Sequence, residues 1–273
     1  MAFIPPSRHP LVLAPVVVHA ANDFVRGAPA PFSALTSKFA QAFFPPPRVL
    51  DVQCIPAADP FLLVFNHYET ARVAAWWAPL LAANVIAAQR VETSREIHFV
   101  MAREWWYPGG FGRYVKQPLM QWLLARFARV YDFVTVPPIL DAISTRGEGA
   151  GGVRRALALT RGDTAALVGI APEGHSGPNG QLCEPPAGAG IFLLWLAREK
   201  IPLLPLGIYE DSATLTLRFG APFYLQDSRA LDRTERDRAA TVRVMGALAA
   251  LLPEALRGMY ATPPDDERLE IAV

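Results

Sequence analysis

The sequence predicts an α/β fold: a largely parallel sheet flanked by helices, preceded by a proline-rich, helical N-terminal segment. Three observations lead there. Phe61-Leu62-Leu63-Val64-Phe65, Ala165 to Ile170 and Leu203 to Ile208 have the length and composition of strands buried on both faces. Segments with apolar residues at helical spacing stand between such runs. Two of the runs stop in polar residues, Asn66-His67-Tyr68-Glu69-Thr70 and Ala171-Pro172-Glu173-Gly174-His175-Ser176. In open α/β sheets, sites are built at such carboxyl ends of strands.

The elements follow in order. Leu11 to Ala21 is apolar, follows Arg8 and His9 and ends in small residues, as a signal peptide does. Pro15 interrupts the run and the basic region is thin, so it reads instead as an N-terminal packing or membrane-touching element. Ser33 to Phe44 is a helix with Leu35, Phe39, Ala42 and Phe43 near one face, stopped by Pro45-Pro46-Pro47. A single Lys38 on its polar face favours packing over an amphipathic foot on a bilayer. After the first strand, Val73, Trp76, Trp77, Leu80 and Leu81 follow helical spacing, and Pro79 is expected to kink or split that helix. Ile97 to Ala102 is a strand, Arg103 to Gly110 a loop, and Leu119, Trp122, Leu123 and Phe127 mark a helix. Phe133 to Val136 is a short strand, 139–152 a loop holding Arg146, and Val153 to Arg161 a helix capped by Gly162. Helix Ile191 to Lys200 leads into the strand Leu203 to Ile208. Thr214 to Phe219 alternates as a strand nearer the sheet edge. The last helix, Thr234 to Leu252, carries Met245, Leu248, Ala249 and Leu252 on one face. These elements divide the chain into an N-terminal segment over 1–58, an α/β domain over 59–262 and a polar tail over 263–273.

Composition narrows the function classes. Of 273 residues, 52% are hydrophobic and 19% charged, enough to fill a core and contrary to disorder. A net charge of +1, without a basic stripe interleaved with aromatics, gives no reason to expect nucleic acid. Cys54 and Cys183 are far apart and fit no disulfide or metal spacing. No apolar run reaches the roughly 20 residues of a membrane span. The chain therefore reads as cytoplasmic, with peripheral contact on the inner face of the membrane as the open alternative.

His67 is the chemical candidate. A histidine at a strand terminus can serve as a general base because its ordinary pKa lies near neutrality. Gly174 suits a backbone that turns sharply beside a site. Gly174-His175-Ser176-Gly177-Pro178 approaches the G-x-S-x-G elbow of serine hydrolases, but Pro178 replaces the last glycine and Pro178-Asn179-Gly180 opposes the helix that an elbow needs.

The order of these stretches resembles the glycerolipid acyltransferase family typified by bacterial 1-acylglycerol-3-phosphate acyltransferases. Asn66-His67 resembles the start of its first motif, Pro172-Glu173-Gly174 the centre of its third, and Ile201-Pro202-Leu203-Leu204-Pro205 its fourth. Ala102-Arg103-Glu104 looks like its Ala-Lys-x-Glu segment, and Phe219-Gly220-Ala221-Pro222 its closing Phe-Gly-x-Pro. Gly180, Leu182 and Gly190 fall where the family keeps a Gly-x-Leu turn and a helix-opening glycine. The resemblance spans about residues 60–225. It implies transfer of a fatty acyl group from acyl-CoA or acyl carrier protein to a hydroxyl of a lipid acceptor, within phospholipid biosynthesis. His67 would be the base, with neither metal nor cofactor beyond the acyl donor. Asn66, Arg103, Arg146, Gly174, His175 and Ser176 would line the substrate.

The departures from the family pattern are specific. The first motif's aspartate falls at Arg72. That carboxylate orients the histidine and stabilises its protonated form, as a triad carboxylate does; an arginine would lower the histidine's pKa if close. Glu69 or Glu173 is the candidate to stand in for it. The second motif's arginine falls near Pro138, with Arg146 as the candidate substitute, and the third motif's falls at Ser176. Guanidinium forks bind phosphate bidentately. Their alteration predicts poor use of phosphorylated acceptors unless Arg103 and Arg146 compensate. Two other readings stay open: a non-catalytic lipid- or acyl-binding protein of the same fold, and a serine hydrolase using Ser176.

Overall fold

The computed structural model describes residues 10–91, 96–102, 110, 112–136, 149–161, 166–198, 200–228 and 230–261. Seven strands form one sheet: β1 Arg48–Leu50, β2 Leu62–Phe65, β3 Ile97–Ala102, β4 Val134–Val136, β5 Leu167–Ile170, β6 Leu203–Asp211 and β7 Thr214–Phe219. Their order is β1-β7-β6-β2-β5-β3-β4. Every pairing is parallel except β6 with β7. The expected α/β class with a largely parallel sheet is what the chain adopts. β2 lies at its centre, and Leu62, Leu63 and Val64 are fully buried.

Seven α-helices accompany the sheet in the described residues: α1 Pro10–Arg26, α2 Phe32–Ala42, α3 Trp77–Gln89, α4 Gln117–Val130, α5 Gly149–Leu159, α6 Ala189–Ala197 and α7 Arg233–Leu251. Right-handed crossovers set their sides. From β2 the chain runs through α3 to β3 and then through α4 to β4, outward in one direction. It then reverses, through α5 to β5 and through α6 to β6. The reversal puts α3 and α4 on one face and α5 and α6 on the other. β2 and β5 are neighbours whose outgoing connections leave over opposite faces. That is the topological switch point, where such sheets open a crevice at the strands' carboxyl ends.

Several local expectations are corrected. Pro79 neither kinks nor splits α3, because the helix begins at Trp77 and places Pro79 in its first turn. The backbone N–H there has no intrahelical partner to lose. Trp76 precedes the helix and is 53% exposed, although its ring meets Phe39 at 5.5 Å and Trp77 at 6.1 Å. On α4, Leu119 and Trp122 are exposed, and Leu124, Ala128 and Val130 supply the buried face. α5 starts at Gly149 rather than Val153. The cap expected at Gly162 and the tail over 263–273 lie outside the described residues.

The N-terminal elements pack on the rest of the fold. α2 buries Phe32, Leu35, Thr36 and Phe39; of the expected apolar face, Leu35 and Phe39 are buried within it, Phe43 is buried just past its end, and Ala42 is half-buried. Ser33 donates to Glu96 from its backbone N–H at 2.9 Å and its hydroxyl at 2.6 Å, satisfying the start of the helix. α1 is fastened by Tyr131, whose hydroxyl donates to Asp23, and by Arg126, which donates to the carbonyl of Phe24. β1 joins β7 at the sheet edge.

On the other side, α6 is apolar all round and packs on α7. Gly190 allows that approach, since a Cβ there would run into the backbone carbonyl of Asp237. The Asp237 carboxylate accepts from the N–H groups of Gly188 and Ile191 at the start of α6. α7 opens with a capping box between Asp232 and Glu235.

Candidate active site

The sheet register assembles the site. Val64 of β2 lies opposite Ile170 of β5. Three residues beyond each stand His67 and Glu173, so parallel pairing alone brings the two polar strand ends together at the switch point. Asn66 fixes the first of them. It is 2% exposed and bridges to β6, donating from Nδ2 to the Ile208 carbonyl at 2.9 Å and accepting the Ile208 N–H at 2.7 Å. Its amide thus takes a backbone's place in the ladder just where β2 ends, and it points into the sheet.

On the β5 side, Ala171-Pro172-Glu173-Gly174 is a tight turn closed by the Gly174 N–H on the Ala171 carbonyl at 3.2 Å. Proline suits its second position, and Gly174 adopts φ +70°, the left-handed conformation glycine tolerates. The turn aims Glu173 inward, where it is 1% exposed. Its carboxylate accepts the His67 backbone N–H at 2.7 Å and the Cys183 backbone N–H at 2.8 Å. Glu173 therefore ties three segments together, and it holds the main chain of His67 rather than its ring. Burial pushes its carboxyl above the ordinary range, opposed by the two backbone N–H groups.

The ring of His67 meets Ser176: Nδ1 and Oγ are 2.7 Å apart. Ser176 Oγ in turn donates to the exposed carboxylate of Glu69 at 3.4 Å. Burial lowers the His67 pKa below its ordinary value, with Glu69 pulling it back up and His175 adding to the lowering. The imidazole is thus neutral near pH 7, the state a general base requires.

The surrounding loops are braced separately. Tyr68 turns away from His67 and its hydroxyl lies 3.4 Å from the Glu210 carboxylate, which also accepts from Thr70 at 3.2 Å. Burial raises the Tyr68 phenol to about 12. Gly180, at φ +77°, packs on the Tyr68 ring, where a Cβ would come within 2.6 Å. His175 is exposed, with Cys183 Sγ 3.6 Å from its Nδ1. Burial and then Glu173 lift the Cys183 thiol to about 11, which keeps it protonated.

Of the residues singled out in the sequence, His67, Glu69, Asn66, Glu173, Gly174, His175 and Ser176 come together here. Arg72 is exposed, and its backbone N–H donates to Thr70 Oγ1 at 3.2 Å. Arg103, Arg146 and Pro138 lie outside the described residues. Three participants had no local signal: the backbones of Cys183 and Ile208, and the Glu210 side chain. Among the described residues no group of three or more His, Cys, Asp or Glu could hold a metal ion, and no helix is long and apolar enough to cross a membrane.

No family model and no curated protein matches the chain significantly. Among solved structures, the chain resembles PlsC, the 1-acyl-sn-glycerophosphate (LPA) acyltransferase of Thermotoga maritima. The overlap covers 81% of this chain and 78% of that one, with 13% sequence identity and a TM-score of 0.44.

Proposed function

We propose that the chain is an acyltransferase that moves a fatty acyl group from acyl-CoA or acyl carrier protein to a hydroxyl of a lipid-like acceptor, with His67 as general base. One observation carries the reading: the His67 imidazole stands at the switch point of a parallel sheet with Nδ1 engaged by Ser176. Its other nitrogen, Nε2, is then the one to meet an acceptor. Nε2 takes the hydroxyl proton as the acceptor oxygen attacks the thioester carbonyl. The tetrahedral intermediate collapses with cleavage of the C–S bond, and the departing thiolate takes the proton from His67. A general base of this kind is worth about 10²–10⁴-fold in rate. The motif order in the sequence, from Asn66-His67 through Pro172-Glu173-Gly174 to Pro202 and Pro205, supports this chemistry over other uses of a histidine. Ser176 at the third motif's arginine position supports a neutral acceptor over a phosphorylated one. Access to lipid would come by peripheral contact with the inner face of the membrane. The test is transfer of labelled acyl groups from acyl-CoA and acyl carrier protein to a panel of lipids and alcohols, by wild type and His67→Ala. Equal inertness of both would sink the proposal and favour a non-catalytic lipid- or acyl-binding protein.

The 2.7 Å approach of Ser176 to His67 also favours a second reading, a serine hydrolase. Two features weigh against it. The nearby carboxylate, Glu69, contacts the serine instead of the ring, and a 3-10 turn at Pro178–Gly180 stands where an elbow has its helix. Labelling of Ser176 by a fluorophosphonate would establish it.

A further inference from the structure

We propose that Ser176 and Glu69 together do the work of the missing orienting carboxylate: Ser176 Oγ accepts the Nδ1–H of His67 and donates its own hydroxyl hydrogen bond to Glu69. The relay rests on the acyltransferase reading for its kinetic consequence, but its structural consequence stands apart from any substrate. Sequence position 72, where a direct partner is expected, holds an exposed arginine. The place beside the ring is instead taken by a residue 109 positions away, in the loop that follows β5.

The proton count follows from what each group can give. An ionised Glu69 is acceptor-only, so the single hydroxyl proton of Ser176 points to it at 3.4 Å. The serine lone pairs then face Nδ1 at 2.7 Å, and a hydrogen bond there requires Nδ1 to carry the proton. His67 is thereby held in the tautomer with a bare Nε2, the one that can act as a base. Hydrogen bonds in series polarise one another, so the negative charge of Glu69 is felt at the ring through the hydroxyl. The groups facing His67 are Glu69 and His175 at its side chain and the buried Glu173 at its backbone N–H. Of these, Glu69 favours the imidazolium that forms as the acceptor loses its proton. Ser176 and Glu69 are positioning residues in this scheme, and only His67 touches reacting atoms.

The experiment is ring-nitrogen NMR of His67 in the full chain across pH, with acyl-transfer kinetics on the same proteins. Wild type should show one neutral tautomer, protonated at Nδ1. Ser176→Ala should release it to a mixture of tautomers, while Ser176→Thr, which keeps the hydroxyl, should preserve it. Glu69→Gln, at an exposed position, should lower the His67 pKa while leaving the fold intact. In kinetics, Ser176→Ala should reduce kcat at least about 10-fold, inside the range a general base supplies, and leave KM within about twofold. Ser176→Thr should recover most of the rate. An unchanged tautomer and pKa in both Ser176→Ala and Glu69→Gln would overturn the relay, even with acyl transfer intact. If no variant transfers acyl groups, the NMR result still decides the relay, and the acyltransferase reading fails alone.

Discussion

Replacing Glu173 with glutamine tests how the two strand ends are held together. The carboxylate accepts two backbone N–H groups, from His67 at 2.7 Å and Cys183 at 2.8 Å, at a position 1% exposed. Glutamine has one carbonyl oxygen and one NH2 group, so it can accept only one of the two. Its amide would also face the abandoned donor hydrogen to hydrogen. A buried donor left without a partner costs about 1–3 kcal/mol. Tm falls by about 2–4 °C per kcal/mol in chains approaching this size, so a drop of about 2–12 °C is expected. Thermal unfolding by circular dichroism measures it, and hydrogen exchange at the His67 and Cys183 amides locates it. A Tm equal to wild type with both amides still protected would refute the claim that Glu173 staples the site. Acyl transfer should fall along with stability, because His67 loses its backbone anchor.

Other perturbations separate packing from chemistry. Asn66→Ala should strand the N–H and C=O of Ile208 at about 1–3 kcal/mol each, read as a loss of urea resistance with an unchanged m-value. Gly190→Ala adds a better helix former by roughly 1 kcal/mol. It also forces a Cβ to within 2.8 Å of Thr241 Oγ1 and closer still to the Asp237 carbonyl. Overpacking at about 1–3 kcal/mol should win and lower Tm. The acyl-transfer rate should decline on acidification with its midpoint below 6.5, because burial lowers the His67 pKa and the base fails when protonated. A decline centred at or above pH 6.5 would contradict that environment. Phosphorylated acceptors should be poorer substrates than their neutral counterparts, and Ser176→Arg should fail to rescue them, because it removes the partner of His67.

Much of the fold could be read from local pattern. The buried runs around Leu63, Gly169 and Leu204 need no partner to be recognised as strands, and their polar ends mark the site. The limits have physical causes. β1 is three residues long, and its pairing with β7 lies far along the chain, so nothing local announced it. Pro79 could be placed only once the start of α3 was known. The sequence pointed to Glu69 as a stand-in for the missing aspartate, but not to the serine between it and the ring. That contact joins residues 107 positions apart, and only the β2–β5 register brings them together. Sequence position 72 drew attention because a spacing rule pointed there, whereas the contact to the His67 ring comes from the loop that follows β5.

If His67 is a working base for acyl transfer, its removal must all but abolish turnover. The most direct measurement is kcat for labelled acyl transfer by purified wild type and His67→Ala, with a hydroxyl acceptor and saturating acyl-CoA or acyl carrier protein. Wild type should turn over, and the variant should lose about 10²–10⁴-fold with its fold retained. Equal rates in the two proteins would contradict it.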